Sequence, residues 1–217
     1  MIDVAIIDYQ MSNLYSVQAA CSTVGLSSII TSDRKQIMDA KSIILPGVGA
    51  FAEAMKQLRV SKLDDCILSF IESGRPFIGI CLGLQLLFDS SEEFGYHEGL
   101  AAIRGTVKKL VYNRDGLLRY TVPQIGWNTI KRINDWDKTL LRQNAPGDFM
   151  YFVHSYYVQP ADPRIVQATT VYGQKEYCSA IQYNNIFATQ FHPEKSGRVG
   201  IRIYQTLKNN LAKSLFL

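Results

Sequence analysis

The chain lacks most of the marks that would assign it to a specialised class. Its four cysteines (Cys21, Cys66, Cys81, Cys178) form no CxxC pair, and with only three histidines they offer no zinc-like spacing. No metal and no cofactor is therefore expected, and free thiols fit a reducing cytoplasm. Charged residues make up only 19% of the chain, and 23 basic against 19 acidic residues leave a net charge of +4, too small and too dispersed to argue for nucleic acid. No apolar run is long enough to cross a bilayer. The opening MIDVAIIDYQ carries Asp3 and Asp8 where a signal peptide would be basic. Internal repeats, low-complexity tracts and long linkers are missing too. What remains is a chain of 217 residues with 47% apolar content, enough for an ample core. The expectation is one soluble, cytoplasmic domain over residues 1–217.

Taken in order, short apolar runs alternate with helical patterns. Val4–Ile7 (VAII) suits a strand buried on both faces. A helix is expected over residues 13–25, with Leu14, Val17, Ala20, Cys21 and Val24 at helical spacing and Gly25 as its stop. Strands at 28–31 and 42–45, helices at 34–40, 52–58 and 63–73, and a strand before Cys81 continue the alternation. This predicts an α/β sheet that is largely parallel. From Ala102 to Val158 the texture becomes mixed, as in GTVKKLVY and DFMYFVHSYYVQ, and reads as an insertion of antiparallel or mixed strands on the same sheet. Late strands are expected at 169–172, 177–183 and 186–190, with Asn184-Asn185 as a hairpin turn. A helix is expected over 199–215.

The stretch around which the chain is organised is RPFIGICLGLQLLFD, residues 75–89. A buried strand stops abruptly at Cys81, and a helical run with Leu82, Leu86 and Leu87 follows. Gly79 and Gly83 flank the cysteine in G-x-C-x-G, the sulfur counterpart of the nucleophile elbow. Glycines are required there because neighbouring backbone comes too close for a Cβ. The start of the following helix favours a thiolate and an oxyanion. An inert cysteine in a buried strand would look similar, since free cysteines are commonly buried.

Two further motifs complete a reaction centre. In FHPE, His192 follows a strand and Glu194 sits two positions on, where it can reach back to the imidazole; Pro193 stiffens the link. A cysteine nucleophile needs such a base and an orienting group. In PGVG, Gly47 and Gly49 let the backbone turn, so that the Val48 amide can join that of Leu82 as an oxyanion hole. Alone, PGVG is also an ordinary strand-to-helix turn, and FHPE an exposed turn.

Together these motifs resemble the class I (triad) glutamine amidotransferases. DYQMSNLYSV (8–17), LPGVGAF (45–51), GICLGLQLLFDSSEE (79–93), GWN (126–128), YFVHSY (151–156), ATTVYG (168–173) and QFHPEKSG (190–197) extend the likeness to the glutaminase subunits of imidazole glycerol phosphate synthase, over nearly the whole chain. Leu84 stands where anthranilate synthase glutaminases have His. The resemblance implies a three-layer, flavodoxin-like α/β fold with a central, largely parallel sheet and a mixed or antiparallel extension. It implies that Cys81 attacks the side-chain amide of glutamine, that His192 passes the proton to departing ammonia, and that Glu194 holds the imidazole. Gln85, Glu93, His154, Ser155 and Tyr156 match positions of the substrate pocket or its surroundings, although His154 also fits a core histidine satisfied by backbone. The implied partner is a (βα)8-barrel cyclase in a heterodimer, with Asn13, Trp127 and Lys195 near the interface; a lone Trp also fits a core position. No membrane or nucleic-acid partner is implied, and the strand around Gly47-Val48-Gly49 is expected to rearrange when the partner binds its ligand.

Two segments depart from the family pattern. Gln10 and Ser12 stand where glycines are usual, and Pro123-Gln124-Ile125 replaces Pro-His-Met. Both segments would face the partner, so a paralogue feeding ammonia to a related barrel, for instance to amidinate a surface sugar, remains the alternative to histidine biosynthesis. A thiol hydrolase of the PfpI-like type would also carry an elbow cysteine but lacks FHPE. A non-catalytic module is opposed by the retention of Cys81, His192 and Glu194.

Overall fold

The computed structural model describes residues 2–11, 13–111 and 121–213. Its first half alternates as expected: β1 (Val4–Ile7), α1 (Leu14–Thr23), β2 (Ser28–Thr31), α2 (Arg34–Asp39), β3 (Ser42–Gly47), α3 (Phe51–Val60), α4 (Leu63–Glu72), β4 (Phe77–Cys81) and α5 (Leu82–Leu86). There follow β5 (Phe88–Ser91), β6 (His97–Glu98), β7 (Ile103–Lys109), β8 (Gln124–Thr129), β9 (Lys131–Arg132), β10 (Phe149–His154), β11 (Tyr156–Pro160), β12 (Val166–Tyr172), β13 (Lys175–Tyr183), β14 (Ile186–Thr189) and α6 (Gly197–Ala212).

The central sheet has eight strands in the order β2-β1-β3-β4-β14-β13-β12-β9. The first five run parallel, and the last three continue antiparallel. Residues alternate between two cores. Ala5, Ile7, Ile43 and Leu45 face α2, α3 and α4 through Ile37, Leu58 and Phe70. Val4, Ile6, Ile44 and Ile78 face α1 and α6 through Val17, Cys21, Ile203 and Leu207. Burial on both sides explains why β1, β3 and β4 read as continuous apolar runs. The order β2-β1-β3-β4-β14 is the flavodoxin-like arrangement, which gathers ligand sites at the carboxyl ends of the strands.

The 102–158 region corrects one expectation. Among the described residues only β9 joins the central sheet; the other strands build a four-stranded sheet, β11-β7-β5-β6, and a two-stranded ribbon, β10-β8. A strand inside the central sheet must be apolar on both faces, whereas β10 buries Met150, Phe152 and His154 and leaves the alternate residues partly or fully exposed. Such one-sided strands cover the faces of β12–β13: Val107 and Val158 join the core with Ile181, and Met150 and Phe152 join that with Tyr177. The β13–β14 hairpin turns at Asn184-Asn185, with Asn184 left-handed at φ 50°.

Candidate active site

Cys81 ends β4 with φ 56° and ψ −107°, a strained backbone for a residue bearing a Cβ. The turn to α5 is held by β3 on one side and β14 on the other. A Cβ on Gly83 would run into the Leu45 carbonyl group, and one on Gly79 would sit 3.0 Å from the Gly83 carbonyl oxygen and from Ala188 Cβ. The two glycines of G-x-C-x-G therefore let α5 lie directly on β3. Cys81 is buried, and its Sγ lies 3.8 Å from the Val153 carbonyl oxygen and 3.7 Å from Gln190 Nε2.

His192 arrives from the end of β14, its backbone N–H donating to the Tyr151 carbonyl at 2.9 Å. Its Nδ1 lies 2.7 Å from Glu194 Oε1, in a pair whose side chains are almost wholly enclosed. A carboxylate can only accept here, so Nδ1 carries a proton, and Nε2 is the ring nitrogen turned away from Glu194. Nε2 has no hydrogen-bond partner among the described residues, which leaves it open to exchange a proton with the neighbouring sulfur. Burial opposes charge on the ring, but the neighbouring Cys81 sulfur and the Glu194 carboxylate outweigh it and raise the His192 pKa. Behind the pair, Glu194 Oε2 and the Tyr204 hydroxyl are also buried without partners among the described residues. Burial, and then the nearby Glu194 charge, keep that phenol protonated.

The PGVG turn stands at the end of β3, beside the elbow. Gly47 is packed under it: the Tyr9 hydroxyl donates to the Pro46 carbonyl at 2.9 Å, and a Cβ on Gly47 would collide with that hydroxyl. Val48 and Gly49 line the cleft with Cys81 and Leu82. The Val48 N–H, however, donates to the Met11 carbonyl at 3.1 Å. In this conformation it is committed to Met11 and is not offered to an oxyanion. That N–H belongs to the Gly47–Val48 peptide, which rotates about ψ of Gly47 and φ of Val48, so Gly47, with no Cβ, is the residue that eases its turning. Gln10 adopts φ 69°, the left-handed backbone that a glycine would take without strain, and Ser12 lies outside the described residues.

The cleft has about 220 Å³ of room, below the range of drug-sized ligand sites and suited to a small molecule. Gln85, Glu93, His154, Ser155 and Tyr156 line it together with Cys81. Glu93 does more than face the cleft: its Oε2 accepts the Phe51 N–H at 2.6 Å and so caps α3, whose own N-cap Ala50 offers no side-chain acceptor. His154 shows the backbone-satisfied arrangement. Its Nδ1 lies 2.8 Å from the Tyr156 carbonyl oxygen and its Nε2 3.1 Å from the Tyr177 hydroxyl. Burial lowers its pKa to about 4, leaving it neutral. Gln85 donates to the same Tyr156 carbonyl at 2.9 Å.

Trp127 and Lys195 are brought together around Tyr151, the indole edge-on to the phenol and the ammonium 5.9 Å from the ring centre. Trp127 is 55% and Ile125 63% exposed, which settles the indole's place on the surface and not in the core. Asn13 is elsewhere, at the start of α1, accepting from Ser16 Oγ at 3.0 Å. Cys21, Cys66 and Cys178 are buried and unpaired, away from the elbow. The sequence pattern assigns Gln190 no role. Its signal was its place in QFHPEKSG, two residues before His192, but which way its side chain turns follows only from the sheet order.

Comparison with known proteins agrees with this geometry. Residues 5–208 match the glutamine amidotransferase class-I family. The chain is 46% identical to the imidazole glycerol phosphate synthase subunit HisH of Rhodopirellula baltica, over 93% of this chain and 95% of that one. It is also 46% identical to the HisH subunit of Syntrophotalea carbinolica, over 95% and 98%. In fold it is similar to the structure of PurLQS from Thermotoga maritima (TM-score 0.72, 18% identity, 97% and 99% covered). The Trypanosoma brucei CTPS glutaminase domain is a second such likeness (TM-score 0.61, 16% identity, 98% and 94% covered). With the elbow cysteine, the histidine–glutamate pair and near-complete coverage in agreement, the chain belongs to the class-I glutamine amidotransferase family.

Proposed function

We propose that this chain is the glutaminase subunit of an imidazole glycerol phosphate synthase. The observation that carries the chemistry is the 2.7 Å His192–Glu194 contact, which leaves Nε2 free beside a cysteine held in an elbow. Glutamine enters the cleft and the Cys81 sulfur attacks its side-chain carbonyl carbon. The thiol proton passes to Nε2 and then to the leaving nitrogen, so the C–N bond breaks with release of ammonia. Water, activated by the same ring, hydrolyses the glutamyl thioester to glutamate. Glu194 keeps the ring in the required tautomer. The oxyanion is received by the Leu82 amide together with that of Val48, once the latter leaves Met11. That exchange gives a physical reason for a subunit that is slow until its partner acts.

The partner is a separate subunit, which we take to be a (βα)8-barrel cyclase that receives ammonia and makes imidazole glycerol phosphate and an aminoimidazole carboxamide ribotide. The exposed Ile125, Trp127 and Lys195, beside the triad, and Asn13, at the loop that holds Val48, supply its docking face. Relatives 46% identical over nearly their full length and named as HisH subunits support this pathway. No helix among the described residues is long and apolar enough to cross a membrane, and four unpaired cysteines support a reducing, cytoplasmic setting. All the proposed chemistry falls to one amidotransferase domain over 1–217.

The test is glutamate release by the pure chain, alone and with a histidine-pathway cyclase plus its ribotide ligand. A large rise on adding both is expected, and it should vanish in Cys81→Ser while free ammonium still feeds the cyclase. No rise in the wild type would favour a paralogous barrel and another acceptor. Full turnover by Cys81→Ser would overturn the nucleophile.

A further inference from the structure

Gln190 is fully buried at the end of β14, its backbone N–H donating to the Ser179 carbonyl at 2.9 Å. Its side chain has a polarity that the surroundings dictate. The Tyr156 carbonyl can only accept, so the group of Gln85 facing it at 2.9 Å must be the NH2. The second hydrogen of that NH2 points to Gln190, whose facing atom at 3.1 Å must then be its oxygen. With Oε1 so engaged, Nε2 of Gln190 is turned to the Cys81 sulfur, 3.7 Å away. Flipping Gln190 would set donor against donor and flipping Gln85 acceptor against acceptor in a buried site, at a cost of lost hydrogen bonds that nothing nearby offsets.

We infer that Gln190 is a catalytic residue, donating its side-chain N–H to Cys81 so as to favour the thiolate and aim the sulfur into the cleft. The sulfur otherwise faces the Val153 carbonyl oxygen at 3.8 Å, which accepts from a thiol and offers a thiolate no donor. The Gln190 donor opposes that bias. It acts twice in the cycle, first when the sulfur gives up its proton to His192 and attacks. It acts again when the tetrahedral adduct of thioester hydrolysis collapses, the C–S bond breaks and the electron pair returns to sulfur. Gln85, which lines the cleft, is thereby tied through Gln190 to the nucleophile. The inference rests on Cys81 being the nucleophile.

The experiment follows carboxamidomethylation of Cys81 by iodoacetamide across pH on the intact chain, read by mass spectrometry of the Cys81 peptide. Two variants are compared with wild type. Gln190→Met removes both the donor and the acceptor for Gln85; Gln190→Glu keeps the acceptor and removes the donor. The pH of half-maximal alkylation should rise by about one unit or more in both, in keeping with the worth of a hydrogen bond to a charged group. If Gln190→Glu matches wild type while Gln190→Met does not, Gln190 merely props Gln85 and the inference fails. It fails as well if neither moves. Should the variants not fold, the side-chain amide 15N resonance of Gln190 in the wild-type chain must follow the Cys81 titration; a flat resonance overturns the inference. None of these readouts uses turnover, so they stand apart from the Cys81→Ser test of the nucleophile itself.

Discussion

Replacing Gly83 by Ala would place a methyl group against the backbone of β3. The added carbon would overlap the Leu45 carbonyl oxygen and stand 2.9 Å from its carbon, where ordinary contact begins at 3.4 Å. Both partners are backbone, one in the central sheet and one in α5, so no side-chain rotation relieves the clash. The helix must lift from β3, by about 1 Å or more, to restore van der Waals separation. Overpacking of this sort costs about 1–3 kcal/mol, and the better helix propensity of Ala returns only about 0.5–1. The expected loss is up to about 2.5 kcal/mol, which lowers Tm by up to about 10 °C for a chain of this size. Activity should suffer more than stability. Leu82 and Gln85 ride on the same short helix, and a displacement of about 1 Å at reacting groups costs roughly 100-fold. Thermal unfolding and glutamate release with the activated partner would be measured side by side. A variant that melts within a degree of wild type and hydrolyses glutamine normally would refute the account of the elbow as a backbone-to-backbone contact.

The raised pKa of His192, about 10, gives a pH test. A group whose folded pKa lies above its unfolded value of about 6.5 stabilises the fold fully below that value and loses the contribution as pH rises through the folded one. The Tm advantage of wild type over His192→Asn should therefore shrink between about pH 7 and pH 10, and a constant difference across that window would contradict the assignment. Gln10→Gly should relieve a left-handed strain of about 1–2 kcal/mol while adding about 0.5–1 kcal/mol of unfolded-state entropy. A net gain, seen as a Tm higher by about 1–4 °C, is expected; a lower Tm would show that the Gln10 side chain contributes more than its backbone costs.

Much of the parallel half was legible because its determinants are local. VAII, IIL and PFIGI are apolar without interruption, as strands buried on both faces are. The elbow at Cys81 and the His192–Glu194 pair were legible for a similar reason: each is a short motif whose geometry is set by a turn, with Glu194 only two residues from His192. The mixed region was less so. Alternation shows that Met150, Phe152 and His154 share one face, yet it does not say which neighbour covers that face, and the strands went to flanking sheets and not to the central one. His154 illustrates the same limit, since a partner for its ring became visible only with Tyr177 beside it.

The sequence by itself determined the succession of strands and helices, the elbow at Cys81 and the pairing of His192 with Glu194, because propensity, periodicity and turn chemistry act over a few residues. Tertiary structure alone decided the connections between distant segments. Gln190 meets Cys81 across 109 positions and Gln85 across 105, Glu93 caps α3 across 42, and the Val48 amide is taken by Met11. A polar residue in a buried pattern announces that it needs a partner; which partner it finds depends on the order in which the sheet brings strands side by side.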